Sequence, residues 1–195
     1  MGLDMYLEKC KKVVYPYINA DLEKLKESDK EDDKRLFAFL KPYIRKRGMY
    51  YFQWYSISEE VAYWRKANQI HKWFVDNVQN GEDDCGEYVV SKEQLEELLS
   101  ICEEVENKVV MQKGKIVNGQ TFKDGEWTNI YEDGYKIINP EICEELLPTC
   151  SGFFFGGTGY DEYYMNDIKY TIEQLKKIIE ETDWETETVY YTSSW

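Results

Sequence analysis

The sequence predicts an α+β fold, in which helices and strands do not follow one another in regular βαβ order. Capping signals indicate three main helices, short apolar or aromatic runs indicate strands, and turn signals cluster in the second half of the chain. The chain has 195 residues, of which 43% are hydrophobic and 16% aromatic, enough for one well-packed core. We therefore predict one domain over residues 1–195, with a mixed or antiparallel sheet packed by about three main helices.

The first predicted element is a strand at GLDMYL, because Leu3, Met5 and Leu7 recur at the two-residue spacing of a half-buried strand. Residues 21–35 are mostly charged and indicate a mobile segment or a solvated helix. The aromatic run at 49–55 predicts another strand, since aromatic side chains favour pleated, half-buried surfaces.

Three helices are indicated by capping boxes, in which Ser or Thr is followed three residues later by Glu or Gln. The two side chains of such a pair satisfy backbone amides that have no partner at the start of a helix. The predicted helices are 59–78 after Ser56 or Ser58, 92–106 after Ser91, and 172–182 after Thr171.

Residues 107–145, between the second and third helices, predict an insertion rich in β-hairpins. Asn118-Gly119 lies between two strand-like runs, and this dipeptide accepts the positive φ angles of a tight hairpin turn. The remaining turns and strands of this half are predicted at Asp124-Gly125, Asp133-Gly134, SGFFFGG (151–157) and ETVYYTSSW (187–195).

The charge balance argues against a generic nucleic-acid binder. The chain has 24 basic and 38 acidic residues, a net charge of −14, and such a field repels phosphate backbones. The same field favours a basic protein partner, or serves only to keep the protein soluble. We therefore expect no direct contact with nucleic acid.

The cysteine and histidine content argues against disulfides and metal sites. Five cysteines without CxxC spacing indicate reduced thiols in a cytoplasmic protein. A chain with one histidine is a poor zinc candidate, and the NGEDDCGE segment (80–87) lacks EF-hand spacing and predicts a solvated acidic loop. No apolar run is long enough for secretion or for a membrane span. We expect no metal, no cofactor and no membrane contact.

Two polar residues of the predicted helix 59–78 need an explanation. The single histidine, His71, falls near the middle of its apolar face and Asn68 at the edge. Asn68 also forms a neighbouring ridge with Arg65 and Lys72. A buried polar group without a partner costs about 1–3 kcal/mol, so something satisfies these two side chains. Protein groups could do so and fix the helix against a sheet, or a bound ligand could do so. The sequence leaves both explanations open.

A second candidate segment is FGGTGYDEYY (155–164), whose glycines could expose successive amides to a phosphate. It is not a P-loop, because no Gly-Lys-Ser/Thr follows, and a flexible turn between strands is the alternative. Together the two segments predict a ligand site, in which rings stack, a guanidinium pairs with phosphate, and amide and imidazole groups read polar edges. Its predicted residues are Trp64, Arg65, Asn68, His71, Thr158 and Tyr160.

No catalytic residue is assigned from the sequence. Cys85 or Cys150 could act with His71, but nothing in their spacing brings them together. No hydrolase, kinase or dinucleotide-binding motif is present. We therefore expect binding rather than catalysis, and keep a small hydrolase or transferase acting on nucleotides as an alternative.

Five segments in combination resemble a family of small bacteriophage and prophage proteins that has no established activity. The segments are GLDMYL, EVAYWRKANQIHKWFV, CGEY, LLPTCSGFFFGGTGYDEYY and YYTSSW. The resemblance covers roughly half of the chain, at residues 2–7, about 60–99, about 146–175 and 190–195. It implies a phage or prophage source and action in the cytoplasm of the bacterial host, and it supplies no catalytic residues.

Phage accessory proteins of this size often counter host defence, and two routes fit this composition. In the first, which we favour, a ring-lined pocket sequesters a nucleotide-derived immune signal without converting it. In the second, the acidic surface binds a basic host defence protein, as an inhibitor or a mimic of nucleic acid. The aromatic surplus, with 17 Tyr and 6 Trp, also predicts a homo-oligomer.

Overall fold

A four-stranded antiparallel sheet lies at the centre of the protein. The structure is a computed structural model that describes residues 2–49, 52–123 and 125–195. Its strands are β1 (Asp4–Lys11), β2 (Arg45–Met49), β3 (Phe52–Ser56), β4 (Glu59–Arg65), β5 (Tyr88–Val90), β6 (Met111–Lys123), β7 (Glu126–Ile137) and β8 (Glu187–Ser194). Its helices are α1 (Leu22–Glu27), α2 (Glu31–Leu40), α3 (Asn68–Asn77), α4 (Lys92–Lys108), α5 (Glu141–Leu146) and α6 (Glu162–Glu181).

The central sheet has the strand order β4-β1-β8-β5, and β2–β3 and β6–β7 form two separate hairpins. Every strand pairing among the described residues is antiparallel, which confirms the predicted α+β class. The strands predicted at GLDMYL and at the terminal ETVYYTSSW are confirmed as β1 and β8, and these two lie side by side in the middle of the sheet.

The central sheet separates two hydrophobic cores. On one face, α3, α4 and α6 pack against buried strand residues that include Met5 and Tyr191. On the other face, Tyr190 packs in a smaller core that Leu22 of α1 and Leu40 of α2 help to close. Consecutive residues of β8 therefore enter different cores, as the alternation of side chains along a strand requires.

Two segments in the first third of the chain, 21–35 and 49–55, have the regular structure predicted for them. For the charged segment 21–35, the helical alternative is confirmed, since α1 and the first half of α2 lie there. The aromatic run at 49–55 lies in hairpin β2–β3, as a strand prediction requires. Residues 50 and 51 of that run lie outside the described residues.

The helix predicted over 59–78 is wrong in its first half. That half is strand β4, which pairs with β1 at the edge of the central sheet. Lys66, with a φ of 63°, turns the chain, and helix α3 follows. The predicted ridge of Arg65, Asn68 and Lys72 therefore does not exist, because Arg65 lies on the strand.

The segment that became β4 fits both the helical and the strand period. Ala62 and Trp64 are buried, whereas Val61 and Tyr63 on either side of Ala62 are only half-buried, which is the spacing of a strand. β-Branched and aromatic residues of this kind pack well beside another strand. The free edge of β1 decides in favour of the strand, and this edge is made by residues far earlier in the sequence.

The two other predicted helices differ in how well their starts were placed. Ser91 and Gln94 form the predicted capping box of α4, each side chain accepting a hydrogen bond from the other's main-chain amide. Helix α6 begins earlier than predicted, because the carboxylate of Asp161 accepts hydrogen bonds from two amides of the first turn. Thr171 is not a cap. It lies inside α6, where its hydroxyl donates to a main-chain oxygen one turn earlier.

Most of the segment 107–145 forms one long hairpin, β6–β7, and the predicted turn at Asn118-Gly119 is wrong. This dipeptide lies at a β-bulge within β6, where Gly119 has a φ of 147°. The strands instead reverse beside Gly125, which has a φ of 88°. Its predicted turn partner, Asp124, lies outside the described residues.

Two further predictions for the second half of the chain are also wrong. Asp133-Gly134 is not a turn but lies inside β7, where a side chain at Gly134 would press on Ile116 of the facing strand. SGFFFGG is not a strand. Phe154 has a φ of 75°, a conformation that a strand does not contain, and the segment forms a turn and irregular coil.

Candidate functional site

Asn68 joins the start of α3 to the irregular segment 148–160. Its side-chain amide donates hydrogen bonds to the main-chain oxygens of Phe155 and Gly157, at 3.1 and 2.8 Å. Its side-chain oxygen accepts a hydrogen bond from the main-chain amide of Cys150 at 3.0 Å. The residue is 1% exposed. The polar groups of Asn68 are therefore satisfied by the protein's own main chain.

His71 is buried and lies in a chain of hydrogen bonds that runs from the buried Tyr191 to the exposed Trp195. Its Nε2 lies 2.9 Å from a carboxylate oxygen of Asp83, which only accepts, so Nε2 carries a hydrogen. In the neutral imidazole, Nδ1 then accepts from the hydroxyl of Tyr191, at 2.7 Å. Burial raises the pKa of Tyr191, so this hydroxyl keeps its proton. The other oxygen of Asp83 accepts from the indole of Trp195 at 3.0 Å.

Trp64 is a core residue of strand β4. It is 2% exposed, and its indole nitrogen donates to the hydroxyl of Thr171 at 2.9 Å. Its ring packs near Phe74 and edge-on to Tyr170, with centroid distances of 6.4 and 6.1 Å. Stacking on an external ligand would require this packing to open.

Arg65 and the glycine turn at 156–159 form an exposed corner. The side chain of Arg65 is 59% exposed and lies 4.0 Å from the carboxylate of Asp4. Gly156 has a φ of 92° and lies close to Lys66, the residue that follows Arg65. A Cβ added at Gly156 would be 3.0 Å from the side chain of Lys66. Thr158 is exposed beside this turn. The end of β4 and the glycine turn are therefore neighbours.

Tyr160 directly follows the glycine turn and is half-buried. Its hydroxyl accepts a hydrogen bond from the main-chain amide of Thr149 at 3.3 Å, and its ring packs edge-on to Tyr164. Of the six predicted site residues, only Arg65 and Thr158 are exposed. The unsatisfied groups that suggested a ligand are absent at Asn68 and His71, and a ligand role for the six residues stays a prediction.

Sequence reasoning missed the partners that hold His71 and the half-buried carboxylate of α6, Asp167. Asp83 belongs to the segment predicted as a solvated acidic loop, and no local signal links it to His71. On α6, burial raises the pKa of Asp167 to about 6, while a hydrogen bond from Gln69 acts in the opposite direction. The donor is the Gln69 amide, at 3.1 Å. The sequence signal that could have identified Asp167 is an aspartate on the apolar face of a helix with a regular hydrophobic period.

The cysteine nearest to this region is not an activated nucleophile. Cys150 is half-buried, and its thiol lies 3.3 Å from the main-chain oxygen of Asn68. Burial raises the pKa of the Cys150 thiol, so it stays protonated, whereas nucleophilic cysteines need a lowered pKa. Both ring nitrogens of His71 are engaged by Asp83 and Tyr191.

Within residues 2–49, 52–123 and 125–195, no group of three or more His, Cys, Asp or Glu side chains is placed to hold a metal ion. In the same part of the chain, no helix combines the length and the apolar character needed to cross a bilayer.

Comparisons with known proteins do not assign this chain to a family. No protein-family model matches it, and searches among curated proteins and among solved structures find no match either. The phage-type resemblance therefore stays a prediction, and the fold and side-chain geometry described above are what a functional proposal has to rest on.

Proposed function

We propose that this protein acts by binding another protein through the outer face of hairpin β6–β7. Side chains alternate between the two faces of a hairpin. The inner face lies on the start of α6, where Ile116 is buried and Glu132 accepts a hydrogen bond from the hydroxyl of Tyr163. On the opposite face, Trp127 is 67% exposed and Phe122 is 60% exposed.

The exposed rings of this outer face carry the proposal. Phe122 and Trp127 face each other across the two strands, with ring centroids 5.3 Å apart. Tyr131, on the same face of β7, is 58% exposed. Large aromatic side chains are enriched at protein interfaces and often contribute most of the binding energy there.

The charge beside the hairpin supports a basic partner. Helix α4, which leads into β6, has six glutamates and two lysines, and α5, which follows β7, has three glutamates and no basic residue. These two helices carry a net charge of −7, half of the −14 of the whole chain. Asn139 holds both ends of the insertion together through hydrogen bonds to Lys108 and Val110. An acidic flank of this kind attracts a basic protein and speeds its association.

The same proposal also specifies the class of protein that binds. We propose a basic, nucleic-acid-binding defence protein of a bacterial host, whose phosphate site the acidic flank occupies as a mimic. The support is the charge of the flank together with the resemblance to phage and prophage proteins. On this proposal the protein is an anti-defence inhibitor that acts in the bacterial cytoplasm.

Replacing Phe122 and Trp127 together by serine tests the hairpin surface. The tagged protein is first used to isolate a complex from a bacterial lysate, and the partner is then purified and titrated by calorimetry. The double variant should bind the partner at least about 100-fold more weakly, because two exposed ring anchors are lost. Affinity should also fall with added salt, since the attraction is between charged surfaces.

The control is Phe153→Ser, which removes an aromatic side chain that is 80% exposed but lies outside the hairpin. This variant should bind like the unmodified protein. The double variant and Phe153→Ser should both have melting temperatures within a few degrees of that of the unmodified protein, because the altered side chains are exposed. A partner that binds the double variant with unchanged affinity, or whose affinity does not depend on salt, would contradict the proposal.

Sequestration of a nucleotide-type ligand is a second candidate, and one observation favours it. The glycine turn lies against Lys66, beside the exposed guanidinium of Arg65, so amides and cations border the same corner. Calorimetric titration with cyclic nucleotides and ADP-ribose derivatives tests this candidate. Arg65→Gln should weaken binding about tenfold or more, through loss of a charge-assisted hydrogen bond.

The matched control for this titration is Lys177→Gln, which removes an exposed cation from α6. It should leave the affinity unchanged. Mass spectrometry of the ligand released on denaturation separates capture from turnover, since a hydrolase or transferase would return an altered molecule. Absence of binding to every ligand, with folded protein, would remove this candidate.

A further inference from the structure

The two outer strands of the central sheet differ in how well their edges are protected. Strand β5, on one side, has three residues, and a strand this short offers little for another chain to pair with. Strand β4, on the other side, has seven residues, no proline, and no charge between Glu60 and Arg65. Its one irregularity is a β-bulge before Ala62. The edge of β4 is therefore the side on which the sheet can accept another strand.

The main-chain groups of Tyr63 and Arg65 point towards this edge. The amide of Lys66 donates to the main-chain oxygen of Leu3 at 2.8 Å, which makes this residue pair a hydrogen-bonded one. Hydrogen-bonded and non-hydrogen-bonded pairs alternate along an antiparallel ladder. The pairs that Tyr63 and Arg65 form with β1 are therefore of the second kind. Within the described residues, no loop hydrogen bond reaches the main chain of either residue from the other side.

Helix α6 packs on a face of β4 rather than on its edge. The contact is made by the buried side chain of Trp64, whose indole nitrogen donates to the hydroxyl of Thr171. Side chains of a strand stand roughly perpendicular to the sheet, so this packing does not occupy the hydrogen-bonding direction. Val61 and Tyr63 are half-buried, and the side chain of Arg65 is 59% exposed. A strand that paired with β4 would cover these partly exposed residues.

The charges at the two ends of β4 indicate which strand fits beside it. The strand begins with Glu59 and Glu60 and ends with Arg65, which Lys66 follows. Glu59 and Arg65 have ion-pair partners within the chain. Glu60 and Lys66 are exposed, and neither forms an ion pair within the part of the chain that the structure describes. An antiparallel copy of the same strand places the acidic start of each beside the basic end of the other, whereas a parallel copy would align like charges.

We propose that two copies of this chain form a dimer by antiparallel pairing of their β4 strands about a twofold axis at Tyr63. The pairing joins the two central sheets into one sheet of eight strands, four from each copy. Tyr63 then lies opposite Tyr63 of the second copy, and Glu60 lies beside the second copy's Lys66. The contact is self-complementary and uses the β4 edge of both copies, so assembly stops at the dimer. This interface is separate from the outer face of hairpin β6–β7.

The variant Tyr63→Pro tests the main-chain pairing. The full-length chain is followed by sedimentation velocity from about 1 to 100 µM, and its mass should rise from monomer to dimer. Proline removes the outward amide without breaking a bond to β1, so the dimer should be at least about 100-fold weaker. Tyr63→Phe is the matched control. It keeps the amide and loses the hydroxyl bond to Asp4, and its dimer affinity should stay within about twofold.

Exchange of the end charges tests the direction and the register of the pairing. Glu60→Lys and Lys66→Glu should each weaken the dimer about tenfold, because each places like charges side by side at both ends of the pair. An equimolar mixture of the two variants should dimerise again, since opposite charges then meet at both ends. Glu97→Lys is the control, because it makes the same charge change at an exposed position of α4. It should leave the dimer unchanged.

A chain that stays monomeric at about 100 µM overturns the proposal, and this is also the result expected if the edge accepts a strand of another protein instead. A dimer that persists in Tyr63→Pro, with a melting curve that shows this variant to be folded, overturns it as well. Should Tyr63→Pro not fold, the mixing experiment decides. A mixture of Glu60→Lys and Lys66→Glu that dimerises no better than either variant alone contradicts the proposed pairing.

Discussion

Replacing Asn68 with alanine should lower the free energy of unfolding by about 3 kcal/mol or more. The change leaves two main-chain oxygens and one main-chain amide without the partner that Asn68 now provides. Each buried group left unsatisfied costs about 1–3 kcal/mol, and water that enters the site recovers part of this. Urea denaturation followed by tryptophan fluorescence measures the loss.

The matched control is Asn166→Ala, since Asn166 is an exposed asparagine on α6. This variant should change the unfolding free energy by no more than about 0.5 kcal/mol. Asn68→Asp is a second, nearly isosteric test. It replaces the donating amide by a group that only accepts, next to two carbonyl oxygens, so it too should destabilise the protein strongly. A loss below about 1 kcal/mol for both Asn68 variants would show that the bonds do not hold the segment in place.

Asp167→Asn should stabilise the protein at pH 8 by about 2–3 kcal/mol and have little effect near pH 3.5. Burial raises the pKa of Asp167 to about 6, above the value of about 3.9 that an aspartate has in an unfolded chain. The folded protein therefore binds this proton more tightly than the unfolded chain does. The corresponding stability is fully present below about pH 4 and is lost as the pH rises through 6.

Asparagine removes the charge while keeping the shape of the side chain and an oxygen that can accept from Gln69. The measurement is the difference in urea midpoint between variant and unmodified protein from pH 3.5 to pH 8, which cancels the other titrating groups. Glu173→Gln is the control, because Glu173 is exposed on the same helix, and its difference should stay near zero throughout. A pH-independent difference for Asp167→Asn would mean that folding does not shift the pKa of this carboxyl.

Elements with complete local signals were predicted well. The capping box of Ser91 and Gln94 contains both partners within four residues, and it marks the start of α4 correctly. The alternation of Leu3, Met5 and Leu7 identifies a strand and also the face that it buries. In these cases the physical cause of the structure lies within one short segment.

Elements that depend on distant residues were predicted less well. β4 reads as a helix until β1 is known to offer an edge beside it. The start of α6 is a different case, since its cap, Asp161, lies within its own segment and was missed. For the site residues, the partner of Asn68 lies more than 80 residues away and Tyr191 lies 120 residues from His71, separations over which a single sequence gives no signal. The polar positions were found, but their partners were not.

The position of β8 constrains when the protein can fold. β8 pairs with β1 on one side and β5 on the other, so the sheet remains in two pieces until residue 194 has left the ribosome. Until then β1 has only β4 as a neighbour, and its other edge can pair with any exposed strand nearby. The sheet therefore cannot be completed before β8 has been synthesised, and pairing over such long separations is intrinsically slow. During synthesis the nascent chain thus exposes an open strand edge for which chaperones and other nascent chains compete.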